Sequence, residues 1–407
     1  THNDSTGNGA LIAEDPSYGY GIQLRGDNPT FIMNGGKIQT SQESVDLYTY
    51  VSNAHVEVND GEIISTDDSA MNLRGSADVS IIGGTLTSGG RTGIYISGAG
   101  ENPEEKVSFD MSGGKLQHSG GMSGAIQAYK NTDISISGSA NIHSEDSYAI
   151  QAQENTALQI SGGTLSSESR SCTISVSDSA NCEITDGTIS NTRTGSAIKA
   201  EDDAVVSIKG GTLESTRSSD LKKEDDAQIT VTGGTFKNDV SDFVSGGVIT
   251  PNPDGTYTVS QLETVYVAVN GDDAQNDGSE SKPFASLRKA LSVVKENGKI
   301  ILDKGIYTIA NELDITVPNL TIQGAGKGET IIQLDESQTS GDLEAFIIVR
   351  SDNVKIKDLT ITTVDADASK TIKGNALKFS NYTNDNDKPK IMGGMLENVE
   401  VISAVGS

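Results

Sequence analysis

Tryptophan is absent from this 407-residue chain, and aromatic residues make up only 4% of it. A compact core built on large side chains is therefore not expected, because aromatic residues supply much of the apolar area that such cores bury. Cysteine is almost as scarce, since only Cys172 and Cys182 occur. Two cysteines exclude a disulfide scaffold and leave the redox compartment open.

Positive charge is scarce and long apolar runs are missing. Lys and Arg number 30 against 57 Asp and Glu, which gives a formal net charge of -27. Such a chain repels phosphate backbones and anionic lipid, so nucleic acid and membrane surfaces are not expected as partners. No stretch approaches the roughly 20 apolar residues that span a bilayer, and residues 1–20 show no signal-peptide pattern. We therefore predict no membrane insertion in this segment.

Glycine, in contrast, is abundant at 45 residues, and much of it lies in a recurring Gly-Gly corner. The clearest copies are IIGGTL from 81, ISGGTL from 160, IKGGTL from 208 and VTGGTF from 231. The corners recur about every 24 residues, with one longer step where GAGENPEE at 98–105 indicates an inserted loop. The corners end at Gly36, Gly61, Gly84, Gly114, Ala140, Gly163, Gly187, Gly211 and Gly234.

Apolar residues alternate with a period of two within each repeat, which predicts strands rather than helices. In one repeat, Leu165 follows the corner, Ile174 and Val176 mark a second strand, and Cys182 and Ile184 mark a third. Equivalent strands stacked at about 4.8 Å pair their backbone groups and align like side chains in internal columns. Short turns between parallel strands predict a right-handed parallel β-helix with three strands and about 24 residues per coil.

The Gly-Gly corner has a mechanical explanation in this fold. One residue at so sharp a corner needs a positive φ, and the neighbouring coil lies too close for a Cβ atom. Cys182 falls in the internal column of Val79, Leu158 and Val206, which indicates a small buried hydrophobe. A bridge between Cys182 and Cys172 stays open as an alternative.

The repeat pattern breaks after VTGGTF. Residues 237–259, KNDVSDFVSGGVITPNPDGTYTV, contain two prolines and an Asp254-Gly255 turn, and we interpret them as a cap over the apolar end of the solenoid. This interpretation places a first domain at 1–262, with a cap and connector from 237, and a second domain at 263–407. The cap resembles segments that end Gly-Gly-Thr repeat arrays in surface proteins of Gram-positive gut bacteria.

The second domain opens with VYVAVNGDDAQNDGSESKPFASLRKALSVVKENGKIILDKGIYTI at 265–309. Ser281 or Ser286 offers a helix start, and one apolar face of PFASLRKALSVV predicts an amphipathic capping helix before strands at 299–302 and 306–309. The apolar face comprises Phe284, Leu287, Leu291 and Val294.

This opening resembles the start of the pectate-lyase-like right-handed parallel β-helix superfamily, in which a strand, an acidic loop and a capping helix precede the coils. The resemblance implies a second β-helix in tandem with the first. It is specific for fold and weakly specific for function, because lyases, hydrolases, epimerases, tailspikes and adhesins share it. The chain starts at Thr1 without Met and stops at a strand near Ser407, so we expect these residues to be a fragment of a longer protein.

The outward positions of the second strand in each coil carry amides, hydroxyls and tyrosines. Asp46 with Arg74 is the lyase-like combination, but no second carboxylate is in register with Asp46, as acid-base catalysis requires. Tyrosines and amides better suit sugar binding, because sugar rings stack on aromatics and amides bond to hydroxyls; a solvated face without a ligand is the alternative. The candidate glycan-binding residues are Asp46, Tyr48, Asn72, Arg74, Tyr95, Gln127, Tyr129, Gln151 and Gln153. No catalytic residue is assigned.

Acidic loops are candidates for calcium, which prefers oxygen ligands. The loop GDDAQNDGS at 271–279 concentrates Asp272, Asp273 and Asp277. The resemblance instead makes this loop a structural opening of the β-helix. No other cofactor is expected.

These features together predict an extracellular, bacterial cell-surface or cell-wall protein that acts as an adhesin or glycan-binding stalk without catalysis. The expected partner is a polysaccharide or a host-surface glycan, and the oligomeric state stays open. The alternative is a polysaccharide lyase or glycoside hydrolase with its active site on the second β-helix. A structural spacer without a ligand is a third possibility.

Overall fold

The computed structural model describes eight segments of the chain. They are residues 10–12, 20–48, 51–99, 105–120, 123–334, 345–363, 375–380 and 391–402. Part of the predicted inserted loop, 100–104, and the last residues, 403–407, lie outside these segments.

The chain divides into two units, Thr1–Ser245 with Ile249–Val259 and Gly246–Val248 with Ser260–Ser407. Within the described segments, both units consist mainly of stacked parallel strands, together with an antiparallel strand in the cap, one short α-helix and one 3-10 turn. The predicted all-β fold of stacked coils is therefore confirmed.

One strand of each coil in the first unit joins a nine-stranded parallel sheet. Its register follows the repeat, since Ile150 pairs with Ile174 and Ile174 pairs with Ile198. These isoleucines are fully buried in the interior of the coil. The strands are Ile22–Leu24, Val45–Leu47, Met71–Gly75, Ile94–Gly98, Ile126–Tyr129, Ile150–Ala152, Cys172–Val176, Ser196–Ala200 and Leu221–Lys223.

The two strands on either side of each Gly-Gly corner belong to a seventeen-stranded sheet that also includes the cap. In four coils they continue through the corner as one bent strand, at Thr30–Thr40, Ala54–Ser65, Ala157–Ser167 and Asn181–Asn191. The other strands are Ala10–Ile12, Ala77–Ile81, Thr85–Ser88, Val107–Met111, Lys115–His118, Thr132–Ile136, Asn141–Ser144, Val205–Ile208, Thr212–Ser215, Gln228–Val231, Gly234–Phe236, Val248–Pro251 and Tyr257–Ser260. Each coil thus has the three predicted strands, although the corner does not always interrupt them.

The corners have the geometry predicted from the sequence. Gly163 has a φ of +82°, and a Cβ atom on it would lie 2.8 Å from the carbonyl oxygen of Ala140 on the preceding coil. Where Ala140 replaces the corner glycine, Gly138 supplies the positive φ instead, at 56°. The corner therefore needs glycine both for its dihedral angles and for the close approach of the next coil.

A column of buried polar side chains lies inside the first unit, and strand alternation alone does not predict it. Ser88 pairs in register with His118, and His118 pairs with Ser144. Ser88 donates to the carbonyl oxygens of Asp68 and Thr92 at 2.8 and 2.9 Å, so its hydroxyl satisfies backbone groups of the adjoining turn. The column comprises Thr40, Ser65, Ser88, His118, Ser144, Ser167, Asn191 and Ser215.

Both cysteines are buried and free. Cys182 pairs in register with Leu158 and Val206, which confirms its place in their internal column. Burial raises the pKa of both thiols to about 12, so neither forms a thiolate readily.

The cap ends the parallel stack of the first unit. Tyr257–Ser260 pairs antiparallel with Gly234–Phe236, and Phe236 is fully buried. The 3-10 turn Ser241–Phe243 precedes this strand, and the amide of Asn252 donates to the carbonyl of Thr256 at 2.7 Å across the Asp254-Gly255 turn. These elements cover the last coil.

The second unit has a seven-stranded sheet and a three-stranded sheet among the described residues. The strands of the larger sheet are Leu262–Val267, Val294–Leu302, Gly305–Ile309, Thr321–Gln323, Thr330–Leu334, Lys355–Thr362 and Met395–Ile402. Those of the smaller sheet are Leu313–Ile315, Ala345–Val349 and Asn375–Phe379.

The capping helix is shorter than predicted. It spans Leu287–Val293, and its N-cap is Ser286, whose side chain accepts a hydrogen bond from the Lys289 amide at 3.1 Å. Phe284 precedes the N-cap and Val294 already begins the next strand, so the helix contains only Leu287 and Leu291 of the predicted apolar face. The helix buries Leu287, Ala290 and Val293. None of the described helices has the length and apolar character needed to cross a membrane.

Candidate functional site

The nine predicted glycan-binding residues lie in two adjacent rows on the nine-stranded sheet. Asp46 pairs in register with Asn72, Asn72 with Tyr95, Tyr95 with Gln127, and Gln127 with Gln151. This first row crosses five coils, which is about 19 Å at the usual strand spacing. Two residues further along the chain, the second row contains Arg74 and Tyr129 within their strands and Tyr48 and Gln153 directly after theirs. We call these nine residues the polar stripe.

At the Asp46 end of the stripe, the polar side chains are hydrogen-bonded to one another. The carboxylate of Asp46 accepts from Gln23 Nε2 at 2.7 Å and from Asn72 Nδ2 at 2.9 Å. Asp46 and Asn72 are only 3% and 7% exposed, whereas Tyr48 is 42% exposed. The side chains of Asp46 and Asn72 are therefore largely covered by their hydrogen-bonded neighbours on adjacent coils, and their contact with a ligand stays a prediction.

Arg74 does not pair with Asp46, as the lyase-like combination requires. Its Nε donates to Asn72 Oδ1 at 3.1 Å, and its guanidinium lies 5.1 Å from the ring centroid of Tyr95. At that distance the cation is attracted to the face of the ring. Arg25 has a similar position over Tyr48, at 4.7 Å. Both arginines therefore orient tyrosines instead of activating a carboxylate.

The centre of the stripe joins two tyrosines to two glutamines. The rings of Tyr95 and Tyr129 lie 5.8 Å apart with an interplanar angle of 39°. Gln127 donates to the hydroxyl of Tyr129 and, at 3.0 Å, to Gln151 Oε1. All four side chains are partly exposed. This arrangement presents fixed aromatic surface beside amide groups that can donate and accept hydrogen bonds.

Beyond Gln151 the outward positions change in character. Ser175 and Ser177 are buried, and Lys199 follows, with ion pairs to Glu201 at 2.5 Å and Glu224 at 2.7 Å. Burial opposes the charge of Lys199, but the hydrogen bonds to both glutamates outweigh it and raise the pKa of Lys199. The ion pairs of Lys199 therefore mark the end of the polar stripe on that side.

Two ionisable residues near Asp46 were missed by the sequence analysis. Burial, assisted by the charges of Asp68 and Asp46, raises the pKa of Glu43. The charge of Glu43 is in turn the main cause of the raised pKa of Tyr20. Both residues lie just before their strands, so the alternation within the strands does not identify them. Because both oxygens of Asp46 are already bonded to amides, Glu43 and Asp46 do not form a free acid-base pair.

The acidic loop of the second unit uses its carboxylates to hold backbone amides. Asp272 Oδ1 accepts from the amides of Ala274 and Gln275, and Asp277 Oδ1 accepts from Ser279. Asp273 bonds to Ser286, the helix N-cap, at 2.6 Å. Among the described residues, no group of three His, Cys, Asp or Glu side chains is arranged to hold a metal ion. The loop therefore fixes the start of the capping helix.

The fold and the stripe define a parallel β-solenoid with a row of aromatic and amide groups on one outer face. Comparison with known families shows similarity over part of the second unit, where residues 269–401 match a family described as "Protein of unknown function (DUF1565)". The matched region includes the capping helix and excludes the whole polar stripe. No curated protein matches the chain.

Proposed function

We propose that this chain is an extracellular β-solenoid of the pectate-lyase-like superfamily that binds a polysaccharide through the polar stripe without catalysis. In this proposal it is an adhesin or glycan-binding stalk of a bacterial cell surface or cell wall, and its partner is a polysaccharide or host-surface glycan. The capped start of the second unit, with its stacked coils, supports the superfamily assignment.

The arrangement of Tyr95 and Tyr129 carries the proposal. Their rings are held 5.8 Å apart on neighbouring coils, with the amides of Gln127 and Gln151 beside them. Sugar rings bind by stacking on aromatic faces while their hydroxyls bond to amides. Pre-oriented groups also lower the entropy lost on binding.

The chemistry of the stripe supports binding over catalysis. Asp46 is the carboxylate among the nine stripe residues, and amide donors occupy both of its oxygens. General acid-base cleavage of a glycan needs two carboxyl groups at a defined separation. The formal net charge of -27 also disfavours nucleic acid as the partner.

A glycan array with the whole chain and its variants tests this function. We expect Tyr95→Ala and Tyr129→Ala each to weaken glycan binding about ten-fold, because each removes stacking surface. Tyr266→Ala is the matched control, since Tyr266 is a half-exposed tyrosine on a strand of the second unit, between buried Val265 and Val267. Binding that survives both stripe substitutions, or that Tyr266→Ala reduces equally, would contradict the proposal. Release of cleaved products from a bound glycan would instead favour a lyase or hydrolase.

A further inference from the structure

A groove of about 360 Å³ lies in the turns that lead into the nine-stranded sheet. Its lining includes Tyr148, Arg170 and Arg193, together with the acidic residue Asp146 and the hydroxyl residues Ser169 and Ser171. This volume is in the range of sites that hold a small ligand or a ligand group. The polar stripe does not include any of these residues.

The lining of the groove holds two arginines and one carboxylate, Asp146, on a protein that is acidic overall. The equivalent turns of the preceding coils carry acidic residues such as Asp67, Asp68 and Asp146, and also Arg91. The next two turns carry Arg170, beside Glu168, and Arg193. The two arginines come from adjacent coils, because Ser167 pairs with Asn191 and Cys172 with Ser196 on either side of them. Both arginines therefore line one groove of a chain with a formal net charge of -27.

The two arginines are held differently. Arg193 Nη1 donates to Asp146 Oδ1 at 3.0 Å and to the carbonyl of Glu168 at 3.4 Å, which fixes its position at the edge of the groove. Arg170 is exposed and forms no hydrogen bond or ion pair with another described residue. One anchored and one free guanidinium, flanked by serine hydroxyls, suit an oxyanion, since guanidinium donors match carboxylate, sulfate and phosphate oxygens.

The groove adjoins the polar stripe. Tyr148 lines it and lies three residues before Gln151 on the same coil, which is about 10 Å along an extended chain. A saccharide that contacts Gln151 can therefore place a substituent in the groove.

We propose that this groove binds the anionic group of an acidic glycan, a carboxylate or a sulfate or phosphate ester, beside the sugar rings on the stripe. The proposal rests on the proposed function and adds a ligand class to it. The preferred glycan then carries negative charge even though the protein itself is acidic, because Arg170 supplies the local positive charge and Arg193, which is paired with Asp146, adds its remaining N–H donors.

Binding of the whole chain to matched neutral, carboxylated, sulfated and phosphorylated oligosaccharides tests this proposal. We expect the double variant R170Q/R193Q to lose about ten-fold in affinity for the acidic members, because hydrogen bonds to charged groups are among the strongest single contacts. Neutral members are expected to bind the variant and the unsubstituted protein alike. Competition by inorganic sulfate or phosphate alone distinguishes recognition of a free ion from recognition of a glycan substituent, and recognition of the free ion alone would overturn the proposal.

Arg217→Gln is the matched control, because Arg217 lies in the next turn of the same series but does not line the groove. It changes the net charge as each single groove substitution does, and we expect unchanged binding. An equal loss of affinity for the acidic oligosaccharides in Arg217→Gln, or full affinity for them in R170Q/R193Q, would overturn the groove proposal. If Tyr95→Ala abolishes glycan binding and R170Q/R193Q has no effect, the proposed function stands and the groove proposal is rejected. If R170Q/R193Q abolishes binding and Tyr95→Ala has no effect, the groove is an anion site and the proposed role of the polar stripe is rejected.

Discussion

Asn72 donates a hydrogen bond to Asp46 across one coil step, at 2.9 Å, and both side chains are buried although they occupy outward positions of their strands. Gln23 donates to the other carboxylate oxygen from the preceding coil. The three residues form a ladder in which one carboxylate joins three coils. The ladder therefore stabilises the stack of coils.

Replacement of Asp46 by Asn should destabilise the first unit by about 1–3 kcal/mol, because an amide group in place of the carboxylate leaves a buried donor facing another donor. Chemical denaturation followed by circular dichroism measures the change. Asp203→Asn is the control, since Asp203 is exposed in a turn. Equal stability of the two variants would show that the ladder does not hold the coils together.

His118 should make the first unit sensitive to mild acid. Its Nε2 lies 3.1 Å from the carbonyl oxygen of Ser123, and its Nδ1 has no partner among the described residues. Burial lowers the pKa of His118 below its ordinary value of 6.5, and the residues that face it, Ser88, Ser123 and Ser144, are neutral. The unfolded chain therefore binds this proton more readily than the folded one.

Because the folded pKa is depressed, the stability from neutral His118 is complete above pH 6.5 and is lost as the pH falls below that value toward the folded pKa. The loss is on the order of 1 kcal/mol per pH unit in that window. Asparagine is a suitable replacement because the same buried column already contains Asn191. The variant His118→Asn should show a smaller difference in unfolding free energy between pH 7.5 and 5.5 than the unsubstituted protein. Half-buried His143 gives the control His143→Asn. A difference unchanged by His118→Asn would contradict the prediction.

The two cysteines should resist thiol reagents in the folded protein. Burial raises the pKa of Cys172 and Cys182 to about 12, so both stay protonated at pH 8. A colorimetric thiol assay should detect no fast-reacting thiol before denaturation and two thiols afterwards without reductant. Rapid labelling of the native protein, or fewer than two thiols after unfolding, would show that this account is wrong.

Gly163→Ala should destabilise the solenoid more than Gly255→Ala. Both glycines have a positive φ, +82° and +84°, so alanine is strained at each. Only at Gly163 would the new Cβ meet a backbone atom, the Ala140 oxygen at 2.8 Å, while the position of Gly255 is open. The difference between the two variants in denaturation midpoint measures the cost of forcing coils apart. A larger effect at Gly255 would contradict the packing role of the corner.

The repeating geometry could be predicted from the sequence because every coil restates it. Alternation placed Ile174 and Cys182 inside, and the recurrent glycines marked the corners, as the structure shows. The helix boundary was harder to predict, since both Ser281 and Ser286 are acceptable N-caps and tertiary contacts of the following strand decide where the helix ends. Its last predicted apolar residue, Val294, belongs to that strand.

The candidate site was predicted less completely, because strand alternation gives direction and not exposure. Asp46 points outward and is still covered by residues of the adjacent coils. Arg170 and Arg193 lie in turns outside any alternating pattern, so their proximity follows from the coil register and not from their spacing alone. The polar column around His118 was likewise missed, since Ser and Thr occur on both faces of these strands.

Neighbouring coils of equal length in the first unit have interchangeable positions. Residues 164–187 and 188–211 occupy the same positions, since Leu165 pairs with Ile189 and Ile189 with Leu213 at equal offsets. Duplication or deletion of one such segment in the gene would lengthen or shorten the stack of coils by one strand spacing. The contacts between neighbouring coils would stay of the same kind. Length is thus a property that evolution can adjust in this molecule by copying, without inventing a new core.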